Sequence, residues 1–430
     1  MNRRVVITGM GVVAPNGVGL EAYDRALRAG ESGIRHNEAM EEAKFACTVA
    51  GVPQGVDEVA ERYFEEDELL AMNTSHRYGC IAAVDAWTDA GFERPEMDSD
   101  EVNWDAGAVI GTGIGGLDTV GDKLVPMVDA GRVRRLGSTL VEQVMASGVS
   151  ARVSGLLALG NQVTANSSAC STGSEAIFEG MHRIASGLAD RMLCGGTEGA
   201  SHYIWSGFDS MRVLCRTHND TPAEASRPMS ATAGGFVAGS GSGILLLESL
   251  ESAQARGARI YAELLGGAVN CGGHRNGGSM TAPNPVGVQR CIRLAIEHAG
   301  IDPAEVDLVN GHLTATGADP REVENWSIAL NRGPGEFPLI HSTKSMIGHG
   351  LGAAGALESV ACLLMLRGGY VHPSINCEDV HPEIEPFAAS IPHESREMPE
   401  LRTIIKSGFG FGDVNACIVF RKWADPVTNL

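Results

Sequence analysis

Short runs of β-branched and apolar residues alternate along this chain with longer alanine-rich amphipathic stretches, and that alternation confines it to the α/β class. The strand-like runs fall at 4–8, 107–111, 162–166, 191–195, 243–248, 307–311, 338–341, 403–407 and 415–420. Between them, 19–29, 74–91, 140–147, 173–187, 287–299, 319–330 and 353–367 carry helical apolar spacing, with a short helix at 250–256. Pro283-Asn284-Pro285 and Gly333-Pro334-Gly335 punctuate the joints. At 430 residues the chain exceeds the roughly 250–300 at which a single core stops growing, so two packed units or two halves of one large domain are expected.

A weak internal duplication supports two related halves. Ala108-Val109-Ile110-Gly111-Thr112-Gly113 is a strand running into a glycine-rich turn, and Leu308-Val309-Asn310-Gly311-His312 repeats that order. Each half later carries a small-residue helix start, Cys170-Ser171-Thr172-Gly173 in the first and His349-Gly350-Leu351-Gly352-Ala353-Ala354-Gly355 in the second. The boundary falls near 255–260, which gives a half at 1–257 and another at 258–430.

A formal net charge of −20 argues against nucleic acid or an anionic membrane as the main partner. Arg132, Arg134 and Arg135 form one local basic cluster, which suits a docking patch or a solvated helix end equally. The ten cysteines form no C-x-x-C pair, so neither a zinc site nor a thioredoxin-type motif is indicated, and no metal is expected. Cys194, Cys362 and Cys417 sit inside apolar runs, where a buried inert thiol is the default. Dispersed thiols fit a reducing compartment, and no run approaches the ~20 apolar residues of a membrane span. Arg3-Arg4 before Val5-Val6-Ile7 faintly mimics a signal peptide, but Thr8, Gly9 and Gly11 interrupt it, so it reads as a first strand and turn. A cytoplasmic protein is expected.

Two glycine motifs invite a dinucleotide reading. Gly111-Thr112-Gly113-Ile114-Gly115-Gly116 satisfies G-x-G-x-x-G, and Gly9-Met10-Gly11-Val12-Val13-Ala14 satisfies the looser form ending in alanine. Pro15-Asn16-Gly17 breaks the helix that should follow the latter, and no strand ending in an acidic ribose ligand follows the former. Tight turns beside another site explain both better.

The chemistry concentrates around Cys170. Asn166-Ser167-Ser168-Ala169-Cys170-Ser171-Thr172-Gly173 lies between a strand and a helix whose apolar positions include Ala176, Ile177, Met181 and Ile184. A cysteine at that helix N-terminus meets unpaired amides and the positive end of the dipole, which favour thiolate over thiol. Its small neighbours leave room for a substrate. Nucleophilic catalysis also needs proton-transfer and oxyanion partners. His312 ends an apolar strand, with Thr314 and Thr316 at alternate positions beyond it. His349 closes Ser342-Thr343-Lys344-Ser345-Met346-Ile347-Gly348-His349, just before an Ala/Gly-rich helix whose dipole favours the neutral ring.

Taken together, Ser167-Ser168-Ala169-Cys170-Ser171-Thr172-Gly173, Asn310-Gly311-His312 with Thr314 and Thr316, Ser342 to His349, and Phe409-Gly410-Phe411-Gly412 resemble the successive signatures of the β-ketoacyl-acyl-carrier-protein synthase I/II family. Arg4 to Gly11, Ser226-Arg227-Pro228, and Leu247-Glu248 through Arg259-Ile260-Tyr261 extend the resemblance over nearly the whole chain, in the family's order.

The resemblance implies the five-layered αβαβα thiolase fold of two pseudo-duplicated halves, normally a homodimer. It implies that Cys170 takes an acyl group from the phosphopantetheine arm of an acyl carrier protein, with Cys170 and Phe411 amides as oxyanion hole. His312 and His349 would stabilise the enolate formed as malonyl-carrier protein loses carbon dioxide. Lys344 would orient the histidines together with Glu358, Thr314 and Thr316 would hold the pantetheine arm, and Thr281 would sit on a neighbouring gating loop. Phe411 would gate the acyl pocket and Ile114 would line it. No resident cofactor is implied, since the substrate supplies the phosphopantetheine.

Several positions depart from that pattern. Leu313 stands where the family has glycine, Gly412-Asp413-Val414-Asn415 replaces Gly-Gly-Thr-Asn, and Met229 to Gly235 lacks the charged stretch that follows Pro228 in the family. These departures bear on the channel and gate. Four rival readings fit the residues less well. A thiolase acting on coenzyme A esters needs a second, late cysteine, for which Cys417 is the only candidate. The third synthase class pairs cysteine with histidine and asparagine, which His349 contradicts. A non-condensing chain-length partner typically lacks the nucleophile, and a cysteine hydrolase has no role for two histidines plus Lys344.

Overall fold

The computed structural model describes residues 3–96 and 99–424. Ten strands form its frame. Those of the first half are β1 (Val5–Ala14), β2 (Ala106–Gly111), β3 (Val163–Thr164), β4 (Arg191–Glu198) and β5 (Gly241–Ser249). The second half supplies β6 (Ala262–Cys271), β7 (Leu308–Asn310), β8 (Leu339–His341), β9 (Thr403–Gly410) and β10 (Val414–Lys422). Six helices pack on them: α1 (Thr74–Asp89), α2 (Gly148–Leu157), α3 (Thr172–Ala185), α4 (Pro285–Ala299), α5 (Asp319–Leu330) and α6 (Ala354–Gly368).

The duplication is explicit in the pairing. The first sheet runs β3-β2-β4-β5-β1 and the second β8-β7-β9-β10-β6. In each, the first strand of the half pairs antiparallel with its last, the last pairs antiparallel with the fourth, and the remaining neighbours are parallel. The sheets touch edge to edge only at Val6–Glu263 and Ile7–Ala262. Helices α1 and α2 cover the outer face of the first sheet, α4 and α5 that of the second, and α3 with α6 lie between the sheets. These are the five layers αβαβα.

Glycine sets the spacing between layers. The first strand does not turn at Gly9 and Gly11 but continues to Ala14, which corrects the sequence reading of this motif. A Cβ at Gly9 would sit 2.1 Å from the Ala86 carbonyl, and one at Gly11 would sit 1.9 Å from that of Ala82. The G-x-G there lets α1 lie flat on the sheet. In the middle layer, a Cβ at Gly355 would lie 2.4 Å from Ser174 Oγ, and one at Gly173 would lie 2.7 Å from Ala356 N. The starts of α3 and α6 therefore abut. That contact brings the residues just before each helix, Cys170 and His349, together.

Helix α6 is buried all round, as a helix with no polar face must be. Its Leu357, Leu363 and Leu364 each contribute about 1.5–3 kcal/mol of burial. The segment Leu351–Gly368 is apolar over 18 residues, with mean hydropathy 1.4, and 89% of it is buried inside the protein. It is a core helix.

The reading of the sequence passed over β6 and α2. Gly266-Gly267 and Glu263 break the apolar alternation of β6, which is held instead by the full-length β10 beside it and α4 behind it.

Candidate functional site

The turn that carries Cys170 is strained where it must be sharp. Strand β3 leads through Ala169, at φ 50°, into a single 3₁₀ turn at Ala169–Ser171 and then α3. A non-glycine residue in the left-handed region costs of order 1–3 kcal/mol, and the surroundings hold it there. Thr172 Oγ1 donates to Ala169 O at 2.7 Å, and Ser171 Oγ donates to Gly408 O at 3.0 Å. Gly410 allows the close approach, because a Cβ there would lie 2.9 Å from Cys170 N.

Cys170 Sγ lies 3.1 Å from His349 Nε2. The His312 and His349 rings stand edge to face with centroids 5.3 Å apart. Phe236 packs on His349 and Phe409 on His312. Burial, then the Lys344 and Lys406 charges, hold His349 well below its ordinary value; burial, Lys344, His349 and Lys406 do the same for His312. Both rings are therefore neutral; the helix that follows His349 gave a reason for this in the sequence for that ring alone.

The thiol departs from expectation. Burial pushes Cys170 up to about 11, against Lys344 and the Phe411 amide, which pull it down. A helix N-terminus offers about 0.3–1 kcal/mol, up to ~2 in favourable cases, too little to reverse a shift of this size. The resting pair is a thiol beside a neutral imidazole.

Lys344 and Glu358 meet at 2.5 Å, both fully buried. Sequence reasoning missed that Lys406, from β9, binds the other oxygen of Glu358 at 2.7 Å. It also missed two carboxylates behind the histidine loop. Glu322 accepts from His312 N (2.6 Å) and Leu313 N (2.7 Å), and Asp319 from Thr314 N (2.9 Å) and Ala315 N (3.1 Å). Burial, opposed by those amides, pushes Glu322 up to about 7. An acidic pair three residues apart at a helix start was the available signal.

A cavity of about 450 Å³ joins these groups to solvent. Cys170, His312, His349, Thr314, Thr316, Thr281 and Phe411 all line it, and Phe208, Val213, Phe236 and Leu351 make an apolar part of its wall. Alternation along 312–316 turns His312, Thr314 and Thr316 to the cavity while Leu313 and Ala315 are buried. Leu313, at φ 21°, packs in the core of the second half, so the side chain that replaces a family glycine points away from the channel. Ile114, expected to line the acyl pocket, is not among the residues that line this cavity. It packs beside Leu117 and Leu351, outside the cavity lining, and its amide donates to Glu198 at 3.0 Å.

Beside the cavity, Asp413 joins two of the segments that line it. This buried carboxylate, at φ 61°, accepts from His274 N at 2.9 Å and Asn284 N at 2.7 Å. Gly412 N donates to Met280 O at 2.8 Å. The Phe411 turn and the loop carrying Thr281 are thus joined. Near Pro228, Asp379 ties the uncharged loop through Arg227, Ser230 and Thr232.

Cys417 lies fully buried in β10, with burial raising its thiol, and it does not line the cavity that holds Cys170. The Sγ of Cys170 and ring nitrogens of His312 and His349 lie within 4.8 Å of one another.

Residues 2–253 match the family model "Beta-ketoacyl synthase, N-terminal domain" and residues 261–378 match "Beta-ketoacyl synthase, C-terminal domain". The chain is 36% identical over 433 residues to 3-oxoacyl-[acyl-carrier-protein] synthase 2 of Rhizobium meliloti (strain 1021), covering 98% of this chain and 99% of that protein. Among solved structures it is similar to the ishigamide ketosynthase/chain length factor, with TM-score 0.88 and 30% identity over 99% of this chain and 100% of that one. It is also similar to AntDE:AntF, a type II PKS acyl-carrier protein in complex with its ketosynthase. There the TM-score is 0.85 and the identity 29%, over 98% of this chain and 100% of that one.

Proposed function

We infer the reaction from one premise: the chain belongs to the β-ketoacyl synthase family. It is an acyltransferase that condenses an acyl thioester with a malonyl thioester. The observation that carries the reading is the joint placement of a thiol and two neutral imidazoles at one cavity wall.

In the first half-reaction Cys170 Sγ attacks the acyl thioester carbonyl. The thiol proton passes to the departing pantetheine sulfur, while His349 Nε2, 3.1 Å from Sγ, keeps its own N–H for the second step. The Cys170 and Phe411 amides bind the transient oxyanion, and the acyl group stays on sulfur. In the second, the malonyl carbon–carboxylate bond breaks, carbon dioxide leaves, and its electron pair becomes an enolate. His312 and His349, donating as neutral rings, stabilise the enolate oxygen. The carbanion attacks the acyl carbonyl, a carbon–carbon bond forms, and the sulfur of Cys170 departs as thiolate, which a proton from solvent returns to the resting thiol. The product is a β-ketoacyl thioester two carbons longer.

Thr314 and Thr316, with hydroxyls 3.1 Å apart on the cavity wall, suit the amides of a pantetheine arm. The partner we propose is an acyl carrier protein, acyl-loaded for the first step and malonyl-loaded for the second. The oligomer we propose is a homodimer across β3, the end strand of the first sheet. It is flanked through α2 by exposed Val141 and Met145.

Purified protein mixed with acyl- and malonyl-carrier protein is expected to release carbon dioxide and form the elongated product. Intact mass should show an acyl adduct that Cys170→Ala abolishes. An adduct persisting on another residue overturns the assignment. Turnover with coenzyme A thioesters, and none with any carrier protein, favours a thiolase-type acyltransferase instead.

A further inference from the structure

The buried charges beside the histidines do not balance. Two ammonium groups, Lys344 and Lys406, share the single carboxylate of Glu358 at 2.5 and 2.7 Å, and all three side chains are at most 1% exposed. Lys406 comes from β9, the strand that continues through Phe409 and Gly410 to Phe411, whereas Lys344 and Glu358 come from the segments on either side of His349. A buried ion pair that merely closed the core would need one lysine. A second leaves one positive charge in surplus, and burial together with Lys406 lowers Lys344 against the pull of Glu358.

We propose that Lys406 is a positioning residue that, by sharing Glu358 with Lys344, leaves the histidine pair facing a net positive field. A positive charge in a low-dielectric wall disfavours imidazolium, so the rings stay neutral donors. It also favours negative charge at the cavity, where the enolate oxygen develops during decarboxylation. Burial remains the largest cause of the lowered imidazole values, and Lys406 adds to Lys344 in the same direction.

Other charged or titratable groups face this cluster. They are Glu322 of α5, His341 of β8, His372, Tyr23, Cys362 of α6 and Cys417 of β10. His341 and His372 are held below their ordinary value and the thiols and Tyr23 above theirs, so these are neutral near pH 7. Glu322, at about 7, adds a counter-charge over the working range.

The proposal rests on the condensing reaction above, and its test separates the two. Cys170 acylation is followed by intact mass, and malonyl-carrier-protein decarboxylation is followed against pH, for wild type, Lys406→Met, Lys406→Arg and Lys406→Met/Glu358→Gln. Lys406→Met removes the surplus charge. Its acylation is expected within about two-fold of wild type. Its decarboxylation kcat should fall about ten-fold, with the acid limb moved up by about one pH unit and KM for the carrier protein unchanged. The arginine variant and the double variant, which again has one lysine charge with no carboxylate, should bring the limb back.

An unchanged limb and kcat in Lys406→Met overturns the proposal. So does equal loss of acylation and decarboxylation with a lowered melting temperature, which marks a purely structural lysine. If Lys406→Met does not fold, the arginine and double variants decide by whether the limb stays at its wild-type position. Absence of condensation by the wild-type protein overturns the assigned reaction instead.

Discussion

The two halves share a strand order and pairing, yet they equip the same loops differently. After its third strand, the first half presents Cys170 and the second presents His349. After the second strand the contrast is sharper. The second half places His312 there, on a loop held by Glu322 and Asp319 from α5. The equivalent loop of the first half, Thr112-Gly113-Ile114, offers no reacting side chain. It is pinned by buried Glu198, which accepts from Thr112 Oγ1 (3.1 Å), Gly113 N (2.9 Å), Ile114 N (3.0 Å) and, from the other half, Gly352 N (2.8 Å). Both halves thus use a buried carboxylate to hold a strand-end loop. One loop presents His312 to the cavity, and the other braces the turn that carries His349.

The largest test of that division separates the half-reactions. Cys170→Ala should lose acylation while keeping slow malonyl decarboxylation by the histidine pair. His312→Ala should keep acylation and lose decarboxylation by about 10²–10⁴-fold, read as released carbon dioxide. Equal loss of both steps in either variant breaks the comparison.

The two loop-holding carboxylates should then differ in readout. Glu198→Gln puts an amide donor against backbone donors and is expected to cost about 1–3 kcal/mol of stability, seen as a lower urea midpoint. Glu322→Gln should instead lower kcat about ten-fold by loosening the His312 loop, with a smaller change in stability.

Acid sensitivity should be shared between the halves. His76 in the first and His372 in the second are both held at about 4 by burial. The unfolded chain takes up protons below about 6.5 where the folded chain does not, so stability is lost as pH falls from 6.5 towards 4. Each contributes up to about 3 kcal/mol of that loss. Glu322, raised to about 7, works in the opposite sense between 7 and 4.5. His372→Gln should flatten the fall in melting temperature over this range, and an unchanged slope contradicts its burial as a neutral ring.

The smallest effect concerns the mouth. Asp413→Gly restores the family residue and frees the Phe411 turn from the Thr281 loop, at a left-handed position glycine tolerates. Faster amide exchange across residues 272–284, with KM for the carrier protein changed only about two- to three-fold, is the expected signature.

Much of this was legible in the chain because it is local. The strand–helix alternation, the small residues around Cys170, and the alternate placing of His312, Thr314 and Thr316 all express the backbone periods and the room that each side chain needs. Lys406 was not legible. A lysine beside Thr403-Ile404-Ile405 reads as an exposed strand residue until α6 brings Glu358 across from another layer. Strand β6 was hidden because its stability comes from partners rather than from its own alternation.

The sequence by itself determined the α/β class, the order of the two halves and the thiol and imidazoles at the loop ends. Tertiary structure alone decided that α3 and α6 abut, so that sulfur lies 3.1 Å from Nε2, and that two lysines face one glutamate. It also raised the thiol that a helix N-terminus alone would have lowered. The reason is range: propensity and capping act within a few residues, whereas desolvation and charge act through neighbours that only folding supplies.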